Sequence, residues 1–389
     1  MRIAMLTYSV KPRGGVVHAL EVSEALARRG HAVELVALAR PGETLFRATG
    51  VPLRLVPHMP LEDADFDVRI EAMLADYTEG LADVLARGRF DVVHAQDCLS
   101  ANAALALRDR GLVEHVVRTV HHVDDFTSPS LVDCQNRSIV GPDHVLCVSE
   151  PWVNRLAREF GVHAGIVRNG VDTARFRPPA GDDDRADARA CAELGARFAV
   201  LTVGGIEPRK GSLTLLEGFA HLRAAAPELD AVLLIAGGTT LFDYRHEVDR
   251  FRARAAELGV TDDIRVLGPQ SPSAIEALFR AADVFAFPSV KEGFGLAALE
   301  ALAAELPLVA SDIDVFRSFL THGESALLTP AGDGVALGRA LLRVAREPEL
   351  GDRLRAGGRP VAASFSWDGS AESHEQAYRS FLATQRRAA

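Results

Sequence analysis

Short apolar runs alternate with amphipathic stretches over nearly the whole chain. In the first half, Ile3–Thr7, Ala32–Ala37, Leu53–Val56, Asp91–His94, Val116–His121, His144–Val148 and Gly165–Val167 predict strands. Helical spacing fills most of the gaps. One helix opens at Gly14-Gly15, runs to Arg29 and is capped by Gly30, and another covers Ile70–Ala86. The run Pro178–Asp184 extends neither a helix nor a strand comfortably and reads as an interdomain linker, followed by a short helix near Arg185–Leu194. A second series then begins, with strands at Phe198–Val203, Ala231–Ala236, Ile264–Leu267, Val284–Phe287 and Leu308–Ala310, helices between Gly334 and Ala363, and a last helix from Ser366 to Gln385. Strands in strict alternation with helices argue for parallel sheets covered on both faces. The predicted organisation is a domain over residues 1–177, a second over 178–365 and a terminal helix over 366–389.

Composition narrows this picture without changing it. A chain of 389 residues exceeds one ordinary core and suits two domains. With 48% apolar and 25% charged residues and no low-complexity tract, it is a globular sequence. The formal charge of −10 opposes general nucleic-acid binding, which needs a basic surface, but leaves room for a local basic pocket. No apolar run approaches the ~20 residues that span a bilayer. The apolar start, Met1–Ser9, is too short for a signal peptide, so a cytoplasmic location is expected. The helix around Phe66–Ala86 is acidic, so no strong membrane-surface patch is evident, although weak membrane association is left open. Cys98, Cys134, Cys147 and Cys191 are scattered and read as reduced thiols. The histidines lack metal-ligand spacing, so no metal is implied.

Four stretches carry candidate chemistry. Glu292 and Glu300 stand eight residues apart around Gly293-Phe294-Gly295-Leu296. The glycines let backbone amides approach a ligand, and a helix starting at Leu296 favours negative charge at its N-terminus, so the loop reads as a phosphate seat. Eight helical residues rise ~12 Å and would leave both carboxylates on one face, a reach that suits phosphates flanked by hydroxyl-bearing rings. The competing reading is a Glu-Gly turn before an ordinary amphipathic helix with Leu296, Leu299 and Leu302 inside. Arg209-Lys210-Gly211, at a strand-to-helix junction, can neutralise a diphosphate or form a solvated turn. Gly14-Gly15 can present amides to an anion or simply begin a helix, with His18 one turn further on. His121-His122 and Asp124-Asp125 follow a strand's carboxyl end, where open α/β sheets place chemistry, though the aspartates also suit a helix cap.

These residues carry a resemblance. The run Asp283–Ser311 resembles the donor site of retaining glycosyltransferases of family 4: Glu292, seven residues, then Glu300, with Gly293-Phe294-Gly295 after the first Glu and a Pro307–Ser311 strand behind. Gly204–Gly211 resembles the family's cationic loop. Lys210 and Gly211 match, whereas Gly205 stands where the family has an arginine that grips the donor diphosphate, leaving Arg209 to supply that charge. Gly15 matches the glycine of the first loop, Thr119-Val120-His121 matches a strand end whose histidine contacts the donor sugar, and Val266–Pro269, with Leu267, matches a turn that meets the nucleotide base. Asp91–Asp97 and Val167–Phe176 extend the likeness over nearly the whole chain.

The resemblance implies an α/β protein of GT-B fold: two Rossmann-like domains with parallel sheets facing across a deep cleft. The first would be the acceptor side, the second would bind the nucleotide sugar, and the last helix would cross back onto the first. It implies a retaining hexosyltransferase that moves a sugar from a UDP-, GDP- or ADP-linked donor to a hydroxyl acceptor, with no metal and no cofactor. His121, Glu292 and Lys210 would be catalytic, and Gly15, Arg209, Gly293, Phe294, Gly295, Leu296, Glu300 and Leu267 would bind the donor. His18 and Asp124 are the acceptor candidates. The alternative is a GT-B protein that binds a nucleotide sugar without transferring it, which Gly205 supports. An epimerase on the same fold would need a base at the sugar's C2, which no residue marks. A two-domain solute-binding protein is opposed by the Glu292/Glu300 motif.

Overall fold

The computed structural model describes every residue except 62–63, 127, 239–244 and 389. The chain divides into two compact units, Met1–Gly170 with Trp367–Ala389, and Val171–Ser366.

Unit 1 is built on seven parallel strands: β1 (Arg2–Thr7), β2 (Ala32–Ala39), β3 (Leu53–Pro57), β4 (Val92–Ala95), β5 (Val116–Val120), β6 (His144–Cys147) and β7 (Gly165–Ile166). Their order is β3-β2-β1-β4-β5-β6-β7. The middle strands are buried on both faces, which is why they read as unbroken apolar runs and not as alternating ones. The chain winds outward from β1 through β2 and β3, then returns to lay β4 against β1, with Met5 opposite His94. That reversal is a topological switch point, where the loops on either side diverge and leave a crevice at the strands' carboxyl ends.

The Trp367–Ala388 helix belongs to this unit. Arg28 and Arg29, closing the Gly14–Arg28 helix, bond Asp368 and Glu375 on it, and its Tyr378 is fully buried.

Unit 2 repeats the plan with β8 (Ala199–Val203), β9 (Val232–Ala236), β10 (Ile264–Gly268), β11 (Val284–Phe287), β12 (Leu308–Ser311) and β13 (Leu327–Thr329), all parallel in the order β10-β9-β8-β11-β12-β13. Its switch point falls between β8 and β11, which pair with Phe285 opposite Leu201. Val200, Leu233, Ala286 and Val309 of the sheet pack with Phe219 and Leu337 from the covering helices. Gly218 allows this closeness, because a Cβ there would stand 2.7 Å from Leu337.

Two expectations need correction. Asp182–Asp184 do not end in a linker: they form the first turn of the Asp182–Cys191 helix, where three carboxylates complement the helix dipole. Glu292 is not helical, since the helix behind it covers only Leu296–Ala303, so a helical rise does not set its spacing from Glu300.

Candidate active site

In unit 2, the neighbouring ends of β8 and β11 bring two sequence-distant loops together. After β8, Pro208–Lys210 form a single 3-10 turn, and the Ser212–Ala225 helix starts behind Gly211. Gly211 has φ +65°, and a Cβ on it would lie 2.1 Å from the Pro288 carbonyl oxygen that follows β11. Only glycine fits there. The Arg209 carbonyl accepts the Val290 N–H at 2.9 Å and the Lys291 N–H at 3.4 Å, stitching one loop to the other. Ser212 closes the turn by exchanging bonds with the Glu207 backbone at 3.0 and 3.1 Å.

This stitching places Lys210 Nζ 2.6 Å from Glu292 Oε1, with Arg209 Nη1 3.6 Å from the same oxygen. Glu292 is buried. Burial by itself would raise its carboxyl pKa, but the Lys210 and Arg209 charges outweigh burial and hold it below its ordinary value. Glu207, which the sequence reading passed over, is also buried, and its Oε2 lies 3.0 Å from Arg209 Nε. Arg209 thus reaches toward both carboxylates. Lys210 additionally lies 4.9 Å from the Phe287 ring centroid.

Gly205 leaves no room for the arginine that the resemblance puts there. A Cβ would sit 2.6 Å from the Gly238 carbonyl oxygen and 3.2 Å from Glu207 Oε1. The cationic side chains that this loop sends to Glu292 are therefore Arg209 and Lys210.

Beyond Glu292, Gly295 takes φ +103° as N-cap of the Leu296–Ala303 helix, and a Cβ there would meet the Phe316 ring at 2.6 Å. Phe294 points inward and stacks on Phe319 at 5.4 Å, so its ring serves the core. Glu300 is half-buried on that helix. The Leu267 carbonyl already accepts the Gln270 side-chain amide at 2.7 Å.

In unit 1, Gly15 and His121 meet at the β1/β4/β5 ends: a Cβ on Gly15 would contact His121 Cδ2 at 3.3 Å. His121 Nε2 lies 2.9 Å from Gln96 Oε1. Burial first, then the Arg118 charge and nearby histidines, holds His121 well below the usual histidine range. His18, the other acceptor candidate, lies inward. It is fully buried, bonded through Nδ1 to Asn169 Oδ1 at 2.6 Å and packed edge-on to His121 at 4.8 Å. The Gly14–Arg28 helix turns its buried face, which carries His18, toward the sheet and the Trp367–Ala388 helix. Asp124 pairs with His122 at 3.1 Å, while its N–H bonds Gln135 at 2.7 Å. Ser128 caps the helix that follows. Among the described residues, no cluster of three or more His, Cys, Asp or Glu could hold a metal ion. None of the described helices is long and apolar enough to cross a membrane.

Two units with parallel sheets, each with candidate site residues at its switch point, define a GT-B glycosyltransferase fold, and solved structures agree. Sucrose-phosphate synthase from Thermosynechococcus elongatus superposes with a TM-score of 0.81 at 23% identity, covering 99% of this chain and 100% of that one. Anabaena HepE, solved with UDP-glucose, gives 0.75 at 17% identity, covering all of both chains. The family profile described as glycosyl transferases group 1 matches residues 185–360, and that described as glycosyltransferase family 4 matches residues 12–175. The D-inositol 3-phosphate glycosyltransferase of Salinispora arenicola is 30% identical over 94% of this chain and 89% of its own length. The chain belongs to the group 1 (family 4) glycosyltransferases and is an enzyme of that kind.

Proposed function

We propose that the protein transfers a sugar from a nucleotide-sugar donor to a hydroxyl acceptor with retention of anomeric configuration and without a divalent metal. The observation that carries this reading is the pairing of Lys210 with the buried Glu292, with Arg209 beside it. As the bond from the anomeric carbon to the diphosphate oxygen breaks, negative charge grows on the leaving group. Lys210 and Arg209, with the amides at the head of the Leu296–Ala303 helix, are fixed donors for that charge. Lysine has three N–H donors, and one bond to Glu292 leaves it capacity for a phosphate oxygen. Two preset cations supply the charge that a metal would otherwise bring.

In a same-face reaction, the acceptor oxygen bonds the anomeric carbon, and its proton passes to the departing phosphate oxygen. No separate protein base is needed. Glu292 then holds sugar hydroxyls and opposes positive charge on the ring, Glu300 holds the ribose hydroxyls, and His121 contacts the sugar. Several relatives carry the name D-inositol 3-phosphate glycosyltransferase, which makes D-inositol 3-phosphate the first acceptor to assay.

The test is a thermal-shift screen against UDP-, GDP- and ADP-sugars, with and without EDTA. Ligand held at 100 times its Kd stabilises by about 2.7 kcal/mol, so the true donor gives a clear shift. The expected result is one strong donor, insensitive to EDTA and lost in Glu300→Ala. No shift from any of the three would sink the donor-site assignment and leave the protein without the proposed activity.

A further inference from the structure

Gln96, at the end of β4, is the inner partner of His121, and one neighbouring sulfur fixes how it is oriented. The Gln96 amide has three polar contacts: Nε2 to Met5 Sδ at 3.0 Å, Nε2 to His94 Nε2 at 3.2 Å, and Oε1 to His121 Nε2 at 2.9 Å. A thioether sulfur accepts hydrogen bonds and cannot donate, so the amide atom facing Met5 must be the NH2 group. The carbonyl then faces His121, whose Nε2 must carry a proton to bond it. The same amide donates to His94 Nε2, which is therefore unprotonated. His94 Nδ1 carries that ring's proton and meets the Tyr378 hydroxyl at 2.6 Å, while the Thr119 hydroxyl lies 2.8 Å from Nε2. One assignment satisfies the whole chain of contacts from the last helix to His121.

We propose that Gln96 is a positioning residue. It holds His121 with its proton on Nε2, so that Nδ1 is a lone-pair acceptor for a hydroxyl of the sugar substrate. The second half rests on the reading of His121 as a sugar contact. No described residue bonds Nδ1. The ring's other edge is taken, since Cδ2 and Nε2 face Gly15 and Gln96. His121 so held recognises a hydroxyl as a hydrogen-bond donor and rejects a substrate whose acceptor-only group, such as a carboxylate oxygen, occupies that place. The charged and titratable groups bearing on it are Arg118, His122, His94 and His374, with His18 edge-on, and none of them replaces the Gln96 carbonyl.

The experiment is two-bond 1H–15N correlation NMR on the full-length protein labelled at histidine nitrogen, with His121→Asn assigning the signal. The expected spectrum shows His121 protonated on Nε2 and bare on Nδ1. Gln96→Glu keeps that tautomer and moves the His121 titration to higher pH, because the carboxylate favours the cation. Gln96→Leu populates the other tautomer and slows acceptor-free hydrolysis of the UDP-, GDP- or ADP-sugar that gives the largest thermal shift by about tenfold. In a His121→Ala background, Gln96→Leu should add nothing further. A wild-type ring protonated on Nδ1 overturns the proposal, as does an equal Gln96→Leu loss in the His121→Ala background. If Gln96→Leu fails to fold, the wild-type and Gln96→Glu spectra still decide the tautomer. A Nε2–H tautomer with undiminished hydrolysis in His121→Ala overturns the sugar contact and leaves the donor assignment to Lys210 and Glu292.

Discussion

The two units end their sheets in the same topology and equip those ends in opposite ways. At the β8/β11 switch of unit 2, charge is buried and paired: Lys210 and Arg209 face Glu292, and Arg209 also faces Glu207. At the β1/β4/β5 ends of unit 1, histidines gather beside the buried Arg118 and Gln96. Burial keeps His18, His94, His121 and His374 below their ordinary titration range, and the structure bonds them to amides, hydroxyls and carbonyls. Desolvation penalises a charge in either place. Unit 2 offsets that penalty around Glu292 with opposite charge, whereas the unit 1 histidines give up their charge. The two ends should therefore fail under different insults.

Deleting one charge in unit 2 is the strongest way to expose the contrast. Lys210→Ala takes from the buried Glu292 its partner at 2.6 Å, and breaking a buried pair from one side costs about 3–5 kcal/mol of stability. It also removes a fixed donor to the leaving group, so transfer should fall by roughly 10²–10³ in initial rate. Adding Glu292→Gln to Lys210→Ala should return much of the stability, read by urea melts, without returning the rate. Recovery of both together would mean that Lys210 serves the fold and not the chemistry.

Acid should break unit 1 first. His374 titrates near 4 in the folded protein against an ordinary 6.5, a consequence mainly of its burial. Between those values the unfolded chain binds a proton that the folded chain refuses, so stability is complete above the unfolded value and drains away as pH falls through the window. At pH 5 this one group removes about 2 kcal/mol, and His18, His94 and His121 act in the same direction. Glu292 runs opposite in origin: its folded pKa lies below 4.5, so its contribution persists until pH drops beneath that range. Both tryptophans, Trp152 and Trp367, lie buried in unit 1. Between pH 7 and pH 5 the tryptophan-fluorescence midpoint should fall further than the midpoint by circular dichroism, which reports both units. Equal falls would remove the contrast.

How far these differences could be read in advance varies with what carries them. The strands that anchor both switch points are apolar runs, and periodicity alone locates β1, β4, β8 and β11 within a residue or two. β13, three residues at Leu327–Thr329, is too short to show a period and was not anticipated. Lys210 and Glu292 were legible because each sits in a dense local motif. Gln96 was not, since its meaning comes from a residue 25 positions away across the β4/β5 register. Glu207 had no signal beyond lying two residues before Arg209. The missing arginine at 205 was visible, but its cause was not, because the Gly238 carbonyl that excludes a side chain comes from the end of another strand.

Gly205→Arg tests that cause with a smaller effect. The new Cβ must displace the Gly238 backbone or Glu207, and overpacking of this kind costs about 1–3 kcal/mol. The variant should melt at lower temperature and bind the donor more weakly, although it restores the residue the family resemblance calls for. A gain in donor affinity at unchanged stability would show that the loop opens readily and that Arg209 is not a replacement.

The smallest effect belongs to a charge pair that has kept its water. Arg28 bonds Asp368 at 2.7 Å, joining the first and last helices of unit 1, a distance within 0.1 Å of that between Lys210 and Glu292. Its side chains are 58% and 68% exposed, against 18% and 8% for the unit 2 pair. Solvent screens the exposed pair, so Arg28→Ala should cost no more than about 1 kcal/mol. For a unit of this size that is a shift of roughly 2–4 °C in its Tm. The last helix should stay in place, since buried Trp367, His374 and Tyr378 hold it through contacts that need no charge. A loss on the scale of Lys210→Ala would mean that distance, and not burial, governs what a charge pair contributes in this protein.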